Sequence, residues 1–250
     1  TMDFAGGIVV HATAGTAALV TALTLGKRRG FPKSITPPHS PILTMIGASM
    51  LWIGWFGFNA GSALGANGGA GMAMLVTHIS AATASLVWMF IEWKRFGKPS
   101  LIGIVTGMVA GLATVTPASG YIGVPGGLIL GFFGGLLCYL AVDYIRGKLQ
   151  IDDSLDVFAV HGVGGILGTL LVAFLATSTF SGLGLAEGQT GVSQFIIQLK
   201  AVALTIIWTS LFTYLILKLT SLVVPLRVDE QEEIEGLDLR SHGEKGYHSD

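Results

Sequence analysis

Asp3-Phe-Ala-Gly-Gly-Ile-Val-Val-His11-Ala-Thr-Ala-Gly15-Thr-Ala-Ala-Leu-Val-Thr-Ala-Leu-Thr-Leu-Gly26 holds one carboxylate at its start, one imidazole further in and no other ionisable group. It then breaks into Lys27, Arg28 and Arg29. A helix rises about 1.5 Å per residue, so a run of this length crosses the ~30 Å hydrocarbon layer of a bilayer. The whole chain has the same character. Hydrophobic residues make up 51% of it and charged residues 12%, against roughly 25% charged residues in a soluble domain. Its mean hydropathy is +0.69. The 36 glycines suit helices that pack in lipid, where small residues let backbones approach. The net charge of -1 gives no sign of a nucleic-acid partner, and the single cysteine, Cys138, allows no internal disulfide and fits no metal-ligand spacing. No cofactor motif is present, so none is expected. The class that remains is an all-α polytopic membrane protein.

Working outward at about 20 apolar residues per crossing, seven spans are expected, at about 4–26, 41–64, 68–91, 100–118, 121–145, 156–177 and 192–223. The stretch 100–118 is short and rich in Gly and Thr. Basic residues alternate with the spans. Lys27, Arg28, Arg29 and Lys33 follow the first, Lys94, Arg95 and Lys98 the third, Arg146 and Lys148 the fifth, and Arg227, Arg240 and Lys245 the seventh. The other loops, 65–67, 118–121 and 178–191, have no Lys or Arg. Because positive charge gathers on the cytoplasmic side, residue 1 is expected outside the cell membrane and the C-terminus inside. Residues 1–225 then form the transmembrane domain, and 226–250, with Asp229, Glu230, Glu232, Glu233 and Glu235, a charged cytoplasmic regulatory tail. The chain opens on Thr1 with no basic n-region and no cleavage site, and is expected to continue a longer N-terminal part.

One short internal echo stands out. Val10-His11-Ala-Thr-Ala-Gly15 resembles Val160-His161-Gly-Val-Gly-Gly165, with Asp3 eight residues before the first histidine and Asp156 five before the second. The copies sit on the first and sixth spans, so they run in opposite directions, the mark of an inverted repeat with a site near the midplane. Ionisable groups inside a span are functional candidates by default. His11 and His161 each lie about four residues, or roughly 6 Å, from the middle of their spans. Paired, they would form a donor-and-acceptor strip in an apolar path; the structural alternative is two packing histidines bonded to backbone carbonyls. His78, among Thr77, Ser80, Ala81 and Ala82, reads as a buried hydrogen bond between helices. Asp3, at a span entry, reads as a structural acid that caps free N–H groups, with cation binding as the alternative. Trp52, Trp55, Phe56 and Phe58, followed by Ser62, fit either an interfacial belt or an aromatic site for a cation.

These stretches resemble the ammonium transporter family (Amt/Mep/Rh). The motifs are Asp3-Phe-Ala-Gly-Gly-Ile-Val-Val-His11, Trp55-Phe-Gly-Phe-Asn-Ala-Gly-Ser62, Asp153-Ser-Leu-Asp156-Val-Phe-Ala-Val-His161-Gly-Val-Gly-Gly165 and Gly236-Leu-Asp-Leu-Arg-Ser-His-Gly-Glu244. The resemblance covers essentially the whole chain. It implies an inverted-repeat fold of eleven spans, of which this chain resembles the fifth to the eleventh, assembled as a homotrimer with one pore per subunit. It implies further that His11 and His161 are the paired pore histidines and that Phe58 is one of two phenylalanines closing the outer mouth. Ser62 would belong to the outer ammonium site, Leu51, Trp55 and Val157 would line the pore, and Asp3 would support the vestibule. The second phenylalanine and a cage tryptophan would come from the four earlier spans. Ammonium or ammonia, with methylammonium as an analogue, is the implied substrate, lipid the surroundings, and a PII-type regulatory protein an implied cytoplasmic partner. The expected mechanism is loss of water and a proton from ammonium at the vestibule and passage of ammonia along a twin-histidine pore. Rival readings are a bis-histidine haem protein, an intramembrane hydrolase built on Ser62 and a histidine, and an ammonium sensor on the same fold.

Overall fold

A computed structural model describes residues 1–35 and 37–246; the last four residues of the expected tail lie outside the described residues. Among the described residues all regular structure is helical. Seven main helices follow one another: α1 Gly7–Leu25, α2 Pro41–Gly61, α3 Gly68–Phe96, α4 Leu101–Val115, α5 Val124–Lys148, α6 Phe158–Leu175 and α7 Gly191–Ser221. A short α8, Glu230–Glu235, follows in the tail. Six of the seven are long and apolar enough to cross a membrane; α4, expected as a span over 100–118, has 15 residues.

The helix boundaries follow from local chemistry. Ser40 opens α2 by accepting from Leu43 N at 3.3 Å, with Pro41 in the first helical position, where a missing N–H costs nothing. Asn67 caps α3 through Ala70 N, and Gly97, at φ +79°, ends it in the left-handed conformation that glycine adopts without strain. Ser100 caps α4 through Gly103 N at 2.8 Å, and Glu92 holds Ser100 in turn, accepting from its backbone N at 2.7 Å. A reciprocal Thr190–Ser193 box opens α7.

Helices α3, α4 and α5 pack together, α2 lies against α3 and α4, and α1 and α6 meet in front of α4 and are backed by α7. Small residues make these crossings close. Ser80 of α3 donates to Gly111 O of α4 at 2.8 Å, and a side chain on Gly111 or Gly131 would run into the Ser80 backbone. Gly15 of α1 touches the backbone of Gly162 of α6. The central layer is buried: Leu112, Ala113, Val115, Leu130, Cys138 and Val172 are each 0% exposed. By contrast α2 presents Ile42, Ile46, Met50 and Ile53 outward.

His78 corrects the sequence reading. It is exposed, and its ring stacks on Trp52 at 5.1 Å, with Phe56 beyond at 6.1 Å. The ring still joins α2 to α3, but by an aromatic stack at the surface and not by a buried hydrogen bond.

Candidate functional site

The two histidine helices begin in the same way. Asp3 fans its carboxylate across four backbone N–H groups: Oδ1 accepts from Gly6 and Gly7 at 3.2 and 2.5 Å, and Oδ2 from Ile8 and Val9 at 3.0 and 3.4 Å. These donors are the ones a helix start leaves orphaned, and a negative charge there meets the positive end of the helix dipole. The first six residues, Gly7–Ala12, wind as a π-helix, with His11 N donating to Gly6 O. Asp153 does the same for α6, accepting from Val157 N at 2.9 Å, Phe158 N at 2.7 Å and Ala159 N at 3.4 Å. Here too the first turn, Phe158–Gly162, is π-helical. Widened turns of this kind are often found at functional sites.

Asp153 is therefore the structural counterpart of Asp3, eight residues before its histidine in both copies. Asp156, paired with Asp3 in the sequence reading, sits instead in the left-handed region at φ +55° and forms an ion pair with Arg146 at 3.2 Å. Burial pushes the Asp156 carboxyl up to about 6; Arg146 pulls against that rise, and the neighbouring Asp153 adds to it. The signal that picks out Asp153 was the equal spacing of eight, which the nearer aspartate hid.

With both starts fixed and the helices touching at Gly15 and Gly162, the imidazoles meet. His11 Nδ1 and His161 Nδ1 are 3.2 Å apart, within hydrogen-bond range, with ring centroids at 5.2 Å. One nitrogen must donate and the other accept, so the pair shares a single proton along this line when both rings are neutral. His11 is 2% exposed, and its Nε2 is buried with no hydrogen-bond partner. Trp55 stacks on His11 at 5.3 Å and 14° between planes, and its indole N–H donates to Thr116 Oγ1 at 3.0 Å, which fixes the ring. Phe58 stands edge-on to His11 at 6.1 Å.

One cavity of about 410 Å³ gathers this set: Val10, His11, Ala14, Leu51, Gly54, Trp55, Phe58, Val157 and His161. Its wall is apolar apart from the imidazole nitrogens and the indole N–H that Thr116 already holds. Six of the predicted site residues, His11, His161, Phe58, Leu51, Trp55 and Val157, line it. Ser62 does not; it lies one turn beyond Phe58 at the end of α2, where its hydroxyl donates to Phe58 O at 2.8 Å. Asp3 lies outside the cavity, beneath the turn that carries His11.

A larger cavity, about 710 Å³, adjoins this one at Val157. Its wall is made by the C-terminal half of α1, by residues 152–155 and by the tail. There Arg227 joins Glu233 at 2.7 Å to the end of α1, donating to Leu25 O and Lys27 O. The charged tail thus has ordered contacts over its described residues. Among those residues no group of three His, Cys, Asp or Glu side chains could hold a metal ion. The 3.2 Å Nδ1–Nδ1 contact leaves no room between those two atoms for a metal ion, which would need two bonds of about 2 Å.

Residues 1–247 match the family model described as Ammonium Transporter Family. The chain is 49% identical to Ammonium transporter Amt1 of Archaeoglobus fulgidus over 249 residues, which is 98% of this chain and 62% of that protein. It is 46% identical to an ammonium transporter of Aquifex aeolicus, over 98% of this chain and 57% of that one. Among solved structures, the Sensor Amt Protein superposes with a TM-score of 0.87 at 32% identity, covering 96% of this chain and 60% of that chain. Candida albicans Mep2 superposes with a TM-score of 0.82 at 35% identity, over 92% of this chain and 53% of that chain. The chain thus spans about three fifths of the length of the curated relatives it matches.

Proposed function

The chain belongs to the ammonium transporter family, and on that premise we propose that this multi-pass membrane protein carries ammonium or ammonia across the membrane through the cavity between α1, α2 and α6. The observation that supports the reading most is the buried imidazole pair. Two histidines share one hydrogen bond, and the Nε2 of His11 has no partner inside an apolar wall. That nitrogen is free to make a hydrogen bond, and ammonia, small and able both to donate and to accept, suits it.

The route begins at an outer vestibule near Ser62 and Phe58, where ammonium sheds water and a proton. An ion taken into a low-dielectric passage loses several kcal/mol of solvation that nothing in the Leu51, Trp55 and Val157 wall replaces. Ammonia avoids most of that cost, passes Phe58 and moves along His11 and His161 toward Val157 and the larger cavity beyond. The proton can follow the imidazole pair. Potassium, similar in size to ammonium, has no proton to give up and stays outside. In this reading Asp3 and Asp153 hold the helix starts, residue 1 lies outside and the tail in the cytoplasm. The homotrimer and the PII-type partner belong to the same proposal.

The test is methylammonium uptake by the intact protein in proteoliposomes with His11→Ala and His161→Ala. Loss of uptake, or entry of potassium, supports the reading; an unchanged rate with unchanged exclusion of potassium removes the histidines from the mechanism. The likeness to the Sensor Amt Protein favours a second reading, ammonium sensing on the same fold. A wild-type protein that binds methylammonium without carrying it would select that reading.

A further inference from the structure

Gln198 is 0% exposed in the first third of α7, where the rest of the helix is mostly apolar. Its carboxamide uses its full hydrogen-bonding capacity. The oxygen accepts from Met2 N at 2.8 Å and from Gln194 Nε2 at 3.0 Å; the nitrogen donates to Met2 O at 2.6 Å and to Thr169 O at 2.8 Å. The partners fix which end of the amide is which, since two are carbonyls. Gln198 therefore grips both backbone groups of Met2, as a neighbouring strand would. On the other side of Asp3, Phe4 N donates to Pro117 O at 3.0 Å. Asp3, the acid beneath the His11 turn, is clamped from both sides. The fourth bond reaches α6, two turns past His161. One side chain thus ties together the entry to one histidine helix and the body of the other.

We infer that Gln198 is a positioning residue that sets the separation of His11 and His161 by fixing Met2, and through it Asp3, against α6. The inference rests on the transport reading. Gln198→Leu removes all four bonds and takes away the partner of the Met2 N–H, the Met2 carbonyl and one Gln194 amide proton. Gln198→Glu keeps a neutral acid that accepts from Met2 N and donates to one carbonyl. Once ionised, that side chain places a carboxylate against two carbonyl oxygens.

The experiment is methylammonium uptake per molecule in proteoliposomes of the intact protein, normalised to wild type at each pH. Gln198→Leu is expected to lose on the order of tenfold at every pH, since misplacement of about 1 Å in a geometry-dependent site costs up to ~100-fold. Burial and the two facing carbonyl oxygens hold the Gln198→Glu carboxyl above the usual glutamate range, so this variant is expected to work near the wild-type rate at low pH and to fall toward the leucine level as pH rises and the carboxyl ionises. If the leucine variant fails to reach the membrane, the glutamate variant decides alone, because each pH is read on one preparation. Wild-type rates in both variants, or a loss in Gln198→Glu that does not change with pH, overturn the inference and leave a packing residue. A wild-type protein that carries no methylammonium overturns the transport reading, and this inference with it.

Discussion

Replacing Gly15 with alanine adds one methyl group at the point where α1 and α6 touch. Built on the backbone, that carbon falls inside 3.0 Å of both Gly162 Cα and Gly162 N, and at 3.4 Å from the His161 carbonyl carbon. The obstacles are backbone atoms, so no side chain can swing aside. Ordinary contact begins near 3.4 Å, and the two helices must part by about 1 Å to reach it. His11 lies one turn before Gly15, and His161 is the neighbour of Gly162. A parting of that size takes the 3.2 Å Nδ1–Nδ1 contact to about 4 Å, beyond hydrogen-bond range. Alanine gains about 1 kcal/mol of helix propensity over glycine, while overpacking costs about 1–3 kcal/mol. The expected net change is a loss of up to about 2 kcal/mol, read as a lower melting temperature in detergent. Transport should suffer more than stability, by about tenfold or beyond, because the histidine contact is broken outright. Gly147→Ala, where an added carbon meets nothing within 4 Å, serves as the control and should carry methylammonium at the wild-type rate. A Gly15→Ala protein that melts and transports like wild type would refute the argument that this crossing sets the imidazole geometry.

Asp153→Ala removes the acceptor for three N–H groups at the start of α6 and should cost about 1–2 kcal/mol, measured by thermal unfolding, with a loss of uptake similar to that of Asp3→Ala. A much milder effect than Asp3→Ala would break the equivalence of the two starts. Asp156→Asn tests the burial of a charge. The Asp156 carboxyl has its folded value raised from 3.8 to about 6, so the wild-type contribution to stability is full below about pH 4 and is lost as pH rises through about 6. Asparagine does not titrate and tolerates the left-handed backbone at this position. The variant should therefore gain on wild type by up to about 3 kcal/mol between pH 4 and pH 7; a stability difference that is flat with pH would contradict this.

Six of the seven expected spans were legible because lipid imposes a length and a hydropathy that each of those segments shows by itself; α4, with 15 residues, falls short of that length. Both histidines were legible too, since an ionisable group in such a run has few reasons to be there. The meeting of the rings was legible only as what the family resemblance implies. It depends on Gly15 and Gly162 touching, which is a property of two distant segments that neither reveals alone. The π-helical starts of α1 and α6 were also hidden, because an altered winding leaves the hydropathy pattern untouched. Asp156, nearer to His161 in the chain, masks Asp153, whose spacing of eight from its histidine matches that of Asp3. The small neighbours Thr77, Ser80 and Ala81 belong to the face of α3 that turns inward, while His78 faces out onto Trp52. Ser62 carried a hydroxyl at a plausible depth, yet the sequence gives no sign that the end of α2 would turn that hydroxyl back onto Phe58 O. In the tail, the acidic run concealed Glu233, whose partner Arg227 lies six residues earlier and whose shared anchor is the end of α1.

Nitrogen NMR of histidine-labelled intact protein in lipid reads the imidazole pair directly. One protonated and one unprotonated Nδ1, coupled to each other across a hydrogen bond, is the expected spectrum at neutral pH, with the coupling lost in Gly15→Ala. Two uncoupled Nδ1 atoms, each bonded to a separate backbone carbonyl, would mean that His11 and His161 only pack their helices, and that no shared proton lies along the passage.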